Sequence, residues 1–460
     1  MAVASIAFPT PRAVPPSLTH DALVSLGGQA ASLARPLAIA WFARIYGAAA
    51  LGGFILIWTC VELGARVATL GLDRGVQRWT DERRTAAAAA GMVIAGITSA
   101  AMAAALCAVL PRFALIDDAA LPAAQLLLLV ALPLTAIGNV ALRAARGSTQ
   151  ITTYVLARGV TEPALLLLAG LAVSSRLDGS RALPVALMIS VAGGAVVATI
   201  GLAHGVGLRT LAASAVRVRA WPVRELVRTA LPLGFADILQ AAQTRLDLVA
   251  VAILTFSARA ITSYAVAAEI ASVFISIRFA LDQVVAASAV EVRGNRAQLA
   301  RLLTTAMRWS TTLAVPIGLA IALAPEQLLR WFGGSHQAVV VLLVLACGRA
   351  VEMIAAPAAS MLAIVGAPKL SLLDAAAGVS IAVIGEVIAA VLGGRSVAIA
   401  AASAIGVIAA SLLPLLWLSQ LHGLAPWRAD SRQLDTCRCA GSLSQPSDRT
   451  RVTPRWRGGC

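Results

Sequence analysis

Apolar residues in this chain come in long unbroken runs. AAQLLLLVALPLTAIGNVAL (123–142) and SVAIAAASAIGVIAASLLPLLWL (396–418) are two of them. A run of about 20 apolar residues crosses a hydrocarbon core of about 30 Å as a helix. Strands of a membrane barrel would instead alternate polar and apolar positions, and these runs do not. Lipid cannot satisfy an open backbone, so such segments must be helical. The pattern predicts an all-α integral membrane protein of about twelve transmembrane helices. The first six fall near 22–45, 49–72, 86–110, 121–145, 150–174 and 182–206. The second six fall near 229–255, 260–288, 303–325, 336–364, 369–393 and 396–420.

Polar stretches between the runs set the orientation. With the N-terminus inside, the inner segments include RGVQRWTDERR (74–84), LRTLAASAVRVRAWPVRELVR (208–228), EVRGNRAQLAR (291–301) and the Arg-rich tail. Inner Lys and Arg then outnumber outer ones about three to one, the bias expected of cytoplasmic loops. With an even span count, both termini are therefore expected in the cytoplasm; the Ala- and Arg-rich, Lys-poor usage suggests a bacterial chain, expected in the inner membrane. The predicted organisation is a disordered arm (1–20), an N-lobe (21–207), a basic linker (208–228), a C-lobe (229–420) and a disordered basic tail (421–460).

Composition sharpens this picture. Of 460 residues, 59% are hydrophobic and 13% charged, against about 25% charged in soluble domains. The net charge is +15, almost all from arginine, with Lys369 the single lysine. Because that charge sits in loops between spans, it implies topology and contact with the bilayer rather than a nucleic-acid partner. Cys60, Cys107 and Cys347 lie in apolar runs and are expected as small core residues. Cys437 and Cys439 form a lone CxC with no second pair or nearby histidine, so no metal is expected. There is no Walker motif and no large polar loop with catalytic residues, which argues against an enzyme. No cofactor is expected beyond a coupling H⁺ or Na⁺.

The two halves also resemble each other. WFARIYGAAALGGFIL (41–56) and VAILTFSARAITSYAV (251–266) each end one span and begin the next. At an offset of about 210, Tyr46 meets Phe256, Leu51 meets Ile261 and Phe54 meets Tyr264, the arrangement of a transporter built from repeated bundles around a central cavity.

Three stretches carry a family resemblance. The first two spans contain Gly53–Phe54 and a later LGLDRG turn (70–75). The seventh and eighth contain Asp247 before an apolar run and Tyr264 after the loop. The ninth and tenth contain Pro316, Gly318, Pro325, Phe332 and Gly333, followed by GAPKL. In this order the motifs resemble the Wzx-like polysaccharide flippases of the multidrug/oligosaccharidyl-lipid/polysaccharide exporter superfamily. The resemblance implies a lipid-pyrophosphate-linked oligosaccharide as substrate, moved by alternating access for surface or exopolysaccharide synthesis. It also implies a polysaccharide polymerase and a chain-length regulator as partners. The extra C-terminal span pair of lipid II flippases is missing. An ion-coupled multidrug antiporter of the same superfamily is the second reading, and a membrane-embedded polymerase a third.

Charges inside the spans are the candidate chemistry, because each costs roughly 2.5 kcal/mol or more to insert at mid-bilayer. Glu62/Arg66, Arg158/Glu162 and Arg278/Asp282 are i,i+4 pairs, and Arg349/Glu352 is i,i+3. Such spacing allows local neutralisation, or a cavity wall where arginine trades an acid for substrate. Arg35, Glu269, Arg308 and Glu386 have no such partner. Asp237 shares a face within about 80° with Gln240, Thr244 and Arg245. Arg35 and Arg245 are equivalent at the repeat offset, one per lobe. Guanidinium groups hold phosphate oxygens in bidentate fashion, so Arg35 and Arg245, helped by Arg66, Arg158 or Arg349, are expected to bind the pyrophosphate. The alternative for Arg245 is a structural pair with Glu269 or another acid on a neighbouring helix. Asp237, Asp247 and Glu269 are candidates to carry the coupling ion or to hold arginines in place; Asp247, in the outer half of its span, fits the structural role better.

Overall fold

In a computed structural model of the chain, residues 34–77, 81–109, 111, 121–145, 152–216, 223–255, 258–291, 295–365, 368–393 and 396–421 are described. The predicted N-terminal arm, the tail and Cys437 and Cys439 lie outside them. The first half comprises α1 (Ala34–Thr69), α2 (Leu72–Gln77), α3 (Asp81–Val109), α4 (Leu121–Ala144), α5 (Thr152–Ser174) and α6 (Gly179–Val206). A short α7 (Leu208–Val216) follows. The second half comprises α8 (Val223–Thr255), α9 (Ala258–Ala271), α10 (Val273–Glu291), α11 (Arg296–Leu323) and a short α12 (Pro325–Trp331). It ends with α13 (Val339–Val365), α14 (Pro368–Val391) and α15 (Ser396–Leu421). Among the described residues there is no strand.

Ten helices of the described residues are long and apolar enough to span a bilayer. Two further segments bring the total to about twelve. One is the apolar start of α1, Leu37–Gly47. The other is α8, whose 33 residues reach about 50 Å but carry too many charges to register as simply apolar. The predicted spans therefore reappear with small shifts. The largest concern the first pair, which forms one helix broken at Gly47 (φ 81°, ψ 166°). That backbone region is open to glycine and closed to most side chains. The corresponding place in the second half, residues 256–257 between α8 and α9, lies outside the described residues.

Local chemistry explains other features. Asn295 caps α11, its side chain accepting from the Gln298 N–H at 3.1 Å. Pro133, Pro184, Pro316, Pro357 and Pro414 stand inside helices. Pro163 follows a π-helical turn, Val155–Thr161. A proline ring clashes with the carbonyl four residues back, and the wider turn makes room for it. Of residues 208–228, predicted as a basic linker, 208–216 form α7 and 223–228 begin α8; α7 buries Leu211 against the first lobe while Arg209 and Thr210 face outward.

In the first lobe α4 packs between α3 and α6; in the second α15 packs against α13 and α14. The lobes meet where α1 and α2 lie along α8 and α9. The main apolar core crosses that seam, joining Phe42, Leu51 and Phe54 to Ile261, Tyr264 and Phe274. Near one end of it Gly71 and Gly234 pass with their backbones touching, so that a Cβ on either would overlap the other's main chain. Towards the other end Gly333 sits on Ala43.

Candidate functional site

The polar groups of the seam come from α1, α2, α8 and α9. At its centre stands Arg245 of α8. One guanidinium nitrogen lies 3.1 Å from Oε2 of Glu62 on α1, and the other donates to Oε1 of Glu269 on α9 at 2.9 Å. Arg245 thus ties an acid of each lobe. The two acids differ in setting: the Glu62 side chain is 32% exposed, that of Glu269 4%. Glu269 also accepts from the Ser272 hydroxyl. The trio carries two negative charges and one positive.

One end of the seam holds a second charge cluster. Arg74 of α2 forms an ion pair with Asp237 of α8, beside the Gly71–Gly234 crossing. Asp73 lies 4.0 Å from Arg143 of α4. Arg66, on α1 one turn from Glu62, is within electrostatic reach of Asp237 and makes no ion pair among the described residues. The predicted Glu62–Arg66 spacing is present, but Glu62 is turned to Arg245 of the other lobe instead.

Deeper in the second lobe, Asp247 accepts from the Tyr264 hydroxyl at 2.8 Å and the Ser403 hydroxyl at 3.2 Å. Glu386 is buried within electrostatic reach of it. A separate network links Arg349 to Glu352 (2.8 Å), Glu352 to Arg278, Arg278 to Asp282 (3.3 Å) and Asp282 to the Ser360 hydroxyl (3.0 Å). Arg278 and Glu352 of this network line a cavity of about 110 Å³, large enough for several waters. Gln240 and Gln243 of α8 line it, as do Asp374 of α14, Ser411 of α15 and Arg74 from the first lobe. Asp374 is 5% exposed, and neither carboxylate oxygen has a hydrogen-bond partner. A buried, unpaired carboxylate is costly unless a cation or a proton joins it. Among the described residues no three His, Cys, Asp or Glu gather as a metal site.

In the first lobe Arg158 donates to both oxygens of Glu162 (2.7 and 2.8 Å) and to Oδ1 of Asn139 (2.5 Å). The Ser190 hydroxyl fixes the carbonyl of Glu162 at 2.7 Å. The arginine lies on the π-helical turn of α5, and this cluster is packed tightly.

The predicted site residues therefore separate. Arg245, Glu269 and Asp237 lie on the seam, with Arg66 near its Asp237 end. Arg158 and Arg349 sit inside their lobes, each with its own acid. Asp247 serves two hydroxyls. The backbone of Arg35 begins α1, while its side chain is outside the described residues. The structural alternative for Arg245, pairing with Glu269, is present. Asp374 and Arg74 were missed. For Asp374 the available signal was a carboxylate inside a predicted span with no basic residue at i±3 or i±4. Arg74 stood in a loop, where arginine is ordinary.

The same architecture occurs in solved structures. One is an inward-facing multidrug resistance MATE family transporter of the MOP superfamily, with 18% identity and a TM-score of 0.62 over 89% of this chain and 100% of that one. An outward-facing transporter of the same description has 18% identity and a TM-score of 0.64, covering 89% and 96%. A MOP superfamily transporter from Pyrococcus furiosus, with a binding pocket of reverse polarity, also has 18% identity and a TM-score of 0.64, covering 89% and 96%. The chain has the MATE-type transporter fold. No protein-family model matches the sequence, and no curated protein does. The MOP superfamily is the one the sequence motifs resemble.

Proposed function

We propose that this protein is an alternating-access transporter, not an enzyme, that flips a lipid-pyrophosphate-linked oligosaccharide across the bacterial inner membrane for cell-surface or exopolysaccharide synthesis. The observation that carries the reading is the arginine content of the lobe interface. Arg245 stands in the middle of the seam and Arg66 one turn from its partner Glu62, without an ion pair among the described residues. Guanidinium pairs suit the oxygens of a pyrophosphate. Arg35, at the start of α1, is the third member of this set, and Arg158 and Arg349 act from inside their lobes. The flippase motifs in the sequence support the same substrate class. A polymerase and a chain-length regulator would use the product.

The coupling ion, H⁺ or Na⁺, is best placed at Asp374 in the second-lobe cavity. Asp237, Asp247 and Glu269 already accept from an arginine or from hydroxyls. Both termini and the basic loops face the cytoplasm in this reading.

A second reading, an ion-coupled multidrug antiporter, is favoured by one specific feature. Arg245 is outnumbered by its two acids, which suits a cationic substrate, and the relatives just described include multidrug transporters. A strain lacking the gene separates the two. The flippase predicts lipid-linked oligosaccharide accumulating on the cytoplasmic face together with loss of surface polysaccharide. Unchanged levels of both, with raised sensitivity to cationic drugs, would select the antiporter.

A further inference from the structure

We infer that Glu62 stands in for the anionic group of the substrate: its carboxylate fills the phosphate position on Arg245 and sets the charge an incoming anion must carry to take that place. The inference rests on the pyrophosphate reading of Arg245.

Both terminal nitrogens of Arg245 are taken. One donates to Glu269 at 2.9 Å, and the other lies 3.1 Å from Glu62. An anion reaches either nitrogen only by displacing an acid, and the two acids are not equally easy to displace. Glu269 belongs to the arginine's own lobe, its side chain is 4% exposed, and the Ser272 hydroxyl donates to its second oxygen. Glu62 comes from the other lobe and is 32% exposed. The acid that yields is Glu62, and the place it leaves is open to a phosphate oxygen.

That place feels a second guanidinium. Glu62 is also within electrostatic reach of Arg158 on α5, which Glu162 and Asn139 hold still. One carboxylate thus lies within reach of an arginine from each lobe, a setting that suits a phosphate group. Once displaced, Glu62 remains near Arg158, so yielding does not strand it as a buried charge. Charge then decides the exchange. A singly charged anion only replaces one carboxylate with its like, and must leave water to do so. A pyrophosphate brings more than one negative charge to the same guanidinium groups and gains from each. Glu62 is therefore a threshold that keeps Arg245 from collecting singly charged anions.

The test is equilibrium dialysis of radiolabelled farnesyl pyrophosphate, a short prenyl pyrophosphate, against the full chain in phosphatidylcholine nanodiscs. Empty nanodiscs give the background, and the lipid carries no net charge to compete. Glu62→Gln should bind the ligand about fivefold or more tightly than wild type, the lower end of coupling between interacting sites. Glu62→Asp keeps the charge on a shorter arm and should fall between. Glu269→Gln separates displacement from net charge: it removes the same charge from Arg245 but leaves Glu62 in place, so its affinity should not rise. Farnesyl sulfate, singly charged, should stay at background with wild type and rise above it with Glu62→Gln. An affinity unchanged in Glu62→Gln, or raised equally by Glu269→Gln, overturns the inference; binding by wild type then leaves the pyrophosphate reading standing. Background levels in both wild type and Glu62→Gln overturn the two together.

Discussion

Arg245 serves two acids, so the effects of replacing it should follow charge and geometry rather than bulk. Arg245→Ala leaves Glu269 buried without its cation, a loss that costs about 3–5 kcal/mol when a buried pair is broken. Arg245→Lys keeps the charge but not the fork that reaches both lobes. We expect the lysine variant to unfold close to wild type in a denaturant series in detergent, and to lose most of its transport. Asp247 should behave differently. Asp247→Ala leaves the Tyr264 and Ser403 hydroxyls without their acceptor, at about 1–3 kcal/mol for each unsatisfied group, while Asp247→Asn retains an oxygen and costs less. The same denaturation series separates the two. Asp374→Asn removes a buried charge that has no partner. We expect it to fold at least as well as wild type and to transport without dependence on a Na⁺ or H⁺ gradient; gradient dependence retained in full would exclude Asp374 as the coupling group. Some of these roles were legible and others were not. Arg158–Glu162, Arg278–Asp282 and Arg349–Glu352 follow from helical spacing, because both partners ride on one helix. Glu62–Arg245 and Arg74–Asp237 join opposite halves of the chain, and no periodicity encodes such a pairing.

At the scale of elements, the π-helical turn before Pro163 and the bare backbone crossing of Gly71 and Gly234 set the shape of each lobe and their closest approach. Gly71 has φ +76°, and Gly234 has Leu70's carbonyl group against the place a side chain would occupy. Gly234→Val therefore cannot be absorbed by a flexible neighbour. We expect the seam to separate at that end, and the distance between spin labels at Arg209→Cys of α7 and Arg301→Cys of α11 to change from wild type; a wild-type distance would show that the turn between α1 and α2 need not touch α8 there. Span positions were readable because each helix is apolar for the thickness of a bilayer. The joining of the first two spans into α1 was hidden, since Gly47 reads as a loop residue until its neighbours are seen to continue the helix. The helical content of 208–216 was hidden for the opposite reason: charges flanking it made a basic linker of what is partly an amphipathic helix.

For the molecule as a whole, two lobes sharing an apolar core across their seam, with ionised groups of both lobes facing each other along it, make a body suited to rocking. The fold fixes that much, and it leaves the substrate to the charges: arginines for a pyrophosphate, uncompensated acids for a cation. The direct measurement is flipping by the purified protein in liposomes. The lipid-linked oligosaccharide is loaded in one leaflet and the fraction reached by an impermeant glycosidase on the other side is followed with time. For the flippase we expect that fraction to rise only when the protein is present, and to fall to the protein-free level with Arg245→Lys. A fraction equal to that of empty liposomes, in vesicles that exchange an organic cation for H⁺ or Na⁺, would contradict the flippase and establish the antiporter.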